Sequence, residues 1–160
     1  MSAPVDYRAK LPELEAYLTG YWLTDLANFS AYTFHALPSL NWCGFYLFDG
    51  SRLRLGPFMG RPACTEIRPG RGVCGTAFEK KEALLVPDVD AFPGHIVCDN
   101  ASRSELVLPM LADGDCVGVL DLDAPVLSRF SEQDRDGLAF WLETMLKKTH
   151  VWRERPWTRA

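Results

Sequence analysis

Three cysteines stand in the middle of the chain, in stretches that read as loops or element ends: Cys64 in GRPAC, Cys74 in GRGVCGTA and Cys98 in PGHIVCDN. Downstream, GVLDLDAP places Asp121 and Asp123 in a strand-like run. Side chains alternate along a strand, so both carboxyls lie on one face. A thiol supplies a nucleophile and a redox partner, and a carboxyl supplies a proton or pairs with a cation. The combination points to thiol redox chemistry on a small polar substrate rather than to a structural role. Cys43 and Cys116 lie inside strand-like runs. They are expected to pack in the core, as cysteine often does. Cys74 is open between packing and a minor redox role.

The elements that must position these groups follow from periodicity and turn residues. Val5 to Leu37 reads as two helices broken near Thr19–Gly20, with Leu11, Leu14 and Leu18 as an apolar stripe on the first and Pro38 ending the second. Trp42 to Phe48 reads as a strand, and Asp49–Gly50 as a hairpin signal into a second strand, Arg52 to Leu55. A loop-rich middle follows, with a short helix from Gly75 to Lys80 and a short buried strand from Leu84 to Val86. Pro87 to Ser102 is long, polar and without periodicity, the pattern of a functional loop. Glu105 to Leu111 and Cys116 to Leu122 read as strands joined at Asp113–Gly114. Ser131 with Asp134 forms a capping box for a last helix to about Thr149. The tail VWRERPWTRA reads as a poorly ordered end or a packing arm. This order predicts one α+β domain over residues 1–150 with a tail at 151–160, built as an antiparallel sheet with helices against one face. Parity sets Trp42, Gly44 and Tyr46 on one side of their strand and Cys43, Phe45 and Leu47 on the other, with Leu120 and Leu122 on the core side behind the aspartates. His35 is expected to pack and His150 to be solvated.

Composition narrows the function. The 160 residues make one domain, and 48% hydrophobic residues allow a sizeable core. A formal net charge of −4 argues against non-specific nucleic-acid binding, which needs Lys and Arg to neutralise phosphates. No apolar run is long enough to span a bilayer. MSAPVDYRAK has no apolar core of a signal peptide, so a cytosolic chain is expected, where a disulfide is more often catalytic than structural. Five cysteines, an odd count, argue against a static disulfide framework. No cofactor is expected. No metal site is expected either, because His95 with Cys64 and Cys74 lacks the paired C-x₂-C spacing of zinc sites. GRGVCG lacks the lysine and spacing of a phosphate loop.

The segments NWCGFYLF, LGPFMGRPAC, GRGVCGTA, FPGHIVCDNASRSELVLP and GVLDLDAP, in that order, closely resemble the free methionine-(R)-sulfoxide reductases, small single-domain GAF-fold enzymes. The resemblance covers Asn41 to Phe130, and the flanking helices are compatible with it. It implies that Cys98 attacks the sulfoxide sulfur, that Cys64 resolves the intermediate as a disulfide, and that Cys74 has a secondary role. It places Trp42, Tyr46, Glu105, Asp121 and Asp123 on substrate-pocket positions. It also implies free methionine-(R)-sulfoxide as substrate and a thiol reductant such as thioredoxin, with a homodimer left open. The preference for the R epimer comes from the resemblance alone. Cys43, Met59 and Asn100 depart from the usual family pattern, at positions with no catalytic assignment.

Physical chemistry adds to this. Asp99, Glu105, Asp121 and Asp123 disfavour a thiolate at Cys98, with only His95 and Arg103 as counterweights nearby in sequence. Lowering a thiol pKa by about two units yields a net gain of only about three-fold, because nucleophilicity falls with basicity. General acid assistance is worth about 10²–10⁴-fold. One of Glu105 and Asp123, held protonated by like-charged neighbours, is therefore expected to act on the sulfoxide oxygen. The same carboxylates can pair with the α-ammonium of a free amino acid, which a methionine inside a protein lacks. An uncompensated buried charge costs several kcal/mol. Trp42 offers an electron-rich face to the methyl and sulfur, and backbone N–H groups of a Gly-rich or Cys98-bearing loop are expected to meet the substrate carboxylate. Plainer readings stand beside these: Trp42 and Tyr46 as ordinary sheet aromatics, and Glu105 as an exposed residue at a strand start. The alternative function is a ligand-binding GAF-like module whose cysteines sense oxidants. Such modules usually adjoin an effector domain, for which 160 residues leave no room.

Overall fold

Run after run of this sequence has one apolar face, and those faces meet across a sheet. The computed structural model describes residues 3–149, 152 and 154–158. Its helices are α1 (Tyr7–Glu15), α2 (Trp22–Ala36), α3 (Gly72–Lys80) and α4 (Glu132–Lys148). Its strands are β1 (Trp42–Phe48), β2 (Leu53–Gly60), β3 (Glu66–Ile67), β4 (Leu84–Val86), β5 (Ser104–Ala112) and β6 (Asp115–Ala124). The strands form one antiparallel sheet in the order β3-β2-β1-β6-β5-β4. The α+β class with an antiparallel sheet is as the sequence implies, with one correction: helices cover both faces rather than one. Cys43, Phe45, Leu47, Leu120 and Leu122 pack with Leu14, Leu26, Phe29 and Trp141 of α1, α2 and α4. The opposite face, with Trp42, Tyr46, Val107 and Val119, packs on Val73, Cys74 and Ala77 of α3. Parity thus sorts β1 as expected, but the polar face also needs a cover.

Three elements and one side chain differ from the sequence reading, and the first of them is β3, which lies in the stretch read as loop. β2 runs on through Pro57 to Gly60. Proline normally ends a strand, but β2 gains one residue on β1 between Gly44 and Tyr46, and Gly56–Pro57 sit in that bulge. α3 starts at Gly72, a turn earlier than expected, because Gly72 adopts φ +62, open to glycine. His35 is exposed rather than packed. The buried positions of α2 are Asp25, Leu26, Phe29, Ser30 and Thr33, and His35 falls on the opposite side.

The break between α1 and α2 is held by Asp25, a fully buried carboxylate. It accepts from Thr19 N at 2.7 Å, Thr19 Oγ1 at 2.9 Å, Gly20 N at 2.9 Å and Thr149 Oγ1 at 2.6 Å. Hydrogen bonds to charged groups contribute about 1.5–3 kcal/mol each, so this residue ties the α1–α2 corner to the end of α4. The Ser131–Asp134 capping box forms as expected and opens α4. Gly137 lies under the Tyr7 ring, where a Cβ would come within 2.2 Å of ring carbons. Trp152 and Trp157 of the tail pack against the core, their indoles donating to Leu146 O and Phe48 O, so the described part of the tail is a packing arm. His150, Val151, Arg153, Arg159 and Ala160 lie outside the described residues. No helix among the described residues is long and apolar enough to cross a membrane.

Candidate active site

Strand register assembles the polar row. Trp42 on β1 and Glu105 on β5 both stand opposite Asp123 on β6, and Gly44 and Val107 stand opposite Asp121. Directly opposed residues share a face, so Trp42, Asp123, Glu105 and Asp121 converge on the side covered by α3. Relative exposures of 5%, 6% and 9% for Glu105, Asp121 and Asp123 leave the three carboxyls almost without water. Glu105 is therefore buried, not the exposed strand-start residue that was the alternative. Trp42 stacks with Tyr46 and with Phe58, with ring centroids 5.8 and 5.3 Å away.

Two loops roof this row, one anchored by β1 and the other by Asn41 just before it. Trp42 Nε1 donates to Arg61 O at 3.1 Å and the Tyr46 hydroxyl donates to Cys64 O at 2.9 Å, fixing the loop after β2. On the other side, Asn41 Nδ2 donates to Asp99 Oδ2 at 3.1 Å and to Ser102 Oγ at 3.0 Å, fixing the loop before β5. The loops are joined by a Cys64–Cys98 disulfide with Cα atoms 5.3 Å apart. The cavity left beneath them is about 40 Å³ and is lined by Trp42, Cys74, His95, Cys98, Glu105 and Asp121, among others. That volume holds a water or two, not an amino acid. Cys74 enters from α3, its Sγ 3.9 Å from Glu105 Oε1, and His95 Nε2 lies 3.7 Å from Glu105 Oε2. Cys43 and Cys116 are free thiols buried in the sheet, as expected.

Burial sets the electrostatics. Desolvation, with Asp123 beside it, pushes the Glu105 carboxyl up to about 8. Desolvation also raises Asp121, next to Glu105, and Asp123, next to Asp121, well above the usual carboxylate range. Three acids sharing one dry site cannot all ionise at neutral pH, and the protons they retain belong to the cluster. The Cys74 thiol is likewise held protonated, first by burial and then by Asp121. His95 is lowered by burial, so it stands neutral beside Glu105.

All the residues expected from the sequence, Trp42, Tyr46, Cys64, Cys74, Cys98, Glu105, Asp121 and Asp123, therefore meet at one place. Sequence reasoning missed the role of Asn41. Its position at the start of the NWCGFYLF segment was the available signal, since a polar residue just before a buried strand has backbone or loop partners to find. The contact of His95 with Glu105 was also missed, because the loop path between them has no periodicity.

A family model described as "GAF domain" matches residues 26–140. Protein YtsP of Bacillus subtilis (strain 168) is 49% identical over 146 residues, 89% of this chain and 90% of that protein. The free methionine-R-sulfoxide reductase of Escherichia coli (strain K12) is 48% identical over 117 residues, 73% of this chain and 71% of the bacterial enzyme. Among solved structures, the free methionine-R-sulfoxide reductase from Neisseria meningitidis in complex with its substrate matches with a TM-score of 0.88 at 40% identity, covering 96% of each chain. This chain belongs to the GAF-domain family and, within it, to the free methionine-R-sulfoxide reductases.

Proposed function

We propose that this chain reduces free L-methionine-(R)-S-oxide to methionine, using Cys98 as nucleophile and Cys64 as resolving thiol, and that thioredoxin recycles it in the cytosol. The observation that carries this reading is the Cys64–Cys98 disulfide roofing a buried cluster of three carboxyls. Sulfur attacks sulfur: Cys98 Sγ attacks the sulfoxide sulfur while the Glu105 proton passes to the sulfoxide oxygen. The attack makes a bond between Cys98 Sγ and the substrate sulfur. The protonated oxygen then transfers as hydroxyl from that sulfur to Cys98 Sγ while the sulfur–sulfur bond breaks with its electron pair on the substrate. Methionine thus leaves reduced by two electrons and Cys98 becomes a sulfenic acid. The proton of the Cys98 thiol returns to Glu105. Cys64 then attacks Cys98 Sγ, its proton leaves with the hydroxyl as water, and the disulfide forms. An external dithiol reopens it by exchange.

Glu105, near 8, is poised for proton transfer close to neutral pH. Asp121 and Asp123 pair with the substrate ammonium, and Trp42 faces the methyl and sulfur. The backbone N–H groups around Gly72 and the Cys98 loop take the substrate carboxylate. Cys74, held as a thiol against Glu105, has a supporting role. With a cavity of only about 40 Å³ in the disulfide form, substrate enters after the disulfide opens and the Cys98 loop lifts.

The test is NADPH consumption with thioredoxin and thioredoxin reductase. The substrates are free methionine-R-sulfoxide, its S epimer and a peptide-bound sulfoxide. Only the free R epimer is expected to turn over. Equal rates with the peptide would sink the ammonium argument, and no turnover of any sulfoxide would favour a non-catalytic, oxidant-sensing module.

A further inference from the structure

We propose that Cys74, Glu105 and Asp121 form a binding site for a thiophilic divalent cation, zinc, that overlaps the substrate ammonium site at Asp121. One ligand atom from each of the three residues lies within 4.8 Å of the others, and Cys74 Sγ is 3.9 Å from Glu105 Oε1. Tetrahedral zinc, with bonds of about 2.0–2.3 Å, sets neighbouring donors roughly 3.5 Å apart. The cluster reaches that geometry by side-chain shifts of about 1 Å. A second, independent observation points to a ligand. Asp121 Oδ1 is buried with no hydrogen-bond partner, on a residue 6% exposed. A buried carboxyl oxygen outside every hydrogen bond is costly unless a proton retained by the cluster or a cation meets it. His95 Nε2, 3.7 Å from the other Glu105 oxygen, lines the same cavity.

The donor set selects the ion. Calcium and magnesium take oxygen ligands and avoid thiolates, whereas a thiolate together with carboxylates suits zinc. The cavity of about 40 Å³ has room for an ion and a water even while the disulfide keeps an amino acid out. A cation held there occupies Asp121, which the proposed function gives to the substrate ammonium, so on that reading zinc is a reversible competitor of the sulfoxide. The binding itself does not depend on that reading.

The disulfide form of the protein makes the test selective, because Cys64 and Cys98 are then unavailable as ligands. Of the other thiols, Cys43 packs in the core cluster on the far face and Cys116 is directed at Gly118 O. Zinc is titrated into the oxidised full chain in competition with a chromophoric chelator, and Co²⁺ serves as the spectroscopic probe. The expected result is one equivalent per chain, with thiolate-to-cobalt charge-transfer absorption. Cys74→Ser should remove that absorption, and Cys74→Ser and Asp121→Asn should each weaken uptake by roughly 100-fold or more. Circular dichroism checks that both variants fold, and Asp121→Asn keeps the test valid should Cys74→Ser not. No uptake at millimolar free zinc, or uptake unchanged in the folded variants, overturns the site. Should the reduced enzyme turn over no sulfoxide, the proposed function fails, while uptake by the oxidised form still decides the zinc site.

Discussion

Cys98→Ser is expected to bring reduction of free methionine-R-sulfoxide down to background. A serine hydroxyl cannot take up the sulfoxide oxygen and pass it on as a sulfenic acid, so the whole chemical path closes. The loss is that of the enzyme's rate enhancement, roughly 10⁶-fold or more. Cys64→Ser should behave differently. It retains the nucleophile and the carboxyl cluster but lacks the thiol that closes the disulfide. It should release one methionine per chain and then stop, with Cys98 trapped as a sulfenic acid that a dimedone-type reagent labels. Thioredoxin-driven turnover should be lost in both variants, and the burst separates them. A burst from Cys98→Ser, or none from Cys64→Ser, would reverse the assigned roles.

Glu105→Gln should slow the reductive step by about 10²–10⁴-fold, the usual worth of a general acid. Glutamine fills the same space and still hydrogen-bonds but has no proton to transfer. In the wild type, the reductive step should hold through neutral pH and fall as pH rises past about 8, where Glu105 ionises. Glu105→Gln should lack this alkaline limb. The substitution should move stability in the opposite sense to activity. The folded-state value near 8 lies above the 4.5 of an ordinary glutamate, so the carboxyl's contribution to stability is complete below about pH 4.5 and lost as pH rises to about 8. At pH 7 the wild type therefore carries a penalty on the order of 3 kcal/mol that a glutamine does not. Urea unfolding should find the variant more stable than wild type at pH 7 and no more stable at pH 4. A variant less stable at both values would mean that Glu105 is a structural residue.

Much of this was legible because the informative residues sit in regular elements. Alternation alone separates Cys43, Phe45 and Leu47 from Trp42 and Tyr46, and sets Asp121 and Asp123 on one face. The capping box at Ser131 marks the start of α4 through local chemistry that needs no tertiary partner. What was hidden depends on distant partners. Asp25 reads as an ordinary helix residue until Thr149 arrives from the far end of the chain. Pro57 reads as a strand stop until the bulge against β1 absorbs it. The face that α3 covers was missed for a related reason: a short Gly-rich helix carries little periodicity to say which side of a sheet it serves. The burial of Glu105 depends on loops joined through Cys64 and Cys98, a pairing that only the family resemblance implied.

The most direct measurement of the central claim omits thioredoxin. Fully reduced wild-type protein is mixed with excess free methionine-R-sulfoxide and no other reductant, then quenched for amino-acid analysis and disulfide mapping. The expected result is one methionine per chain together with a Cys64–Cys98 disulfide and free thiols at Cys43, Cys74 and Cys116. Unchanged sulfoxide with every thiol still reduced would contradict it.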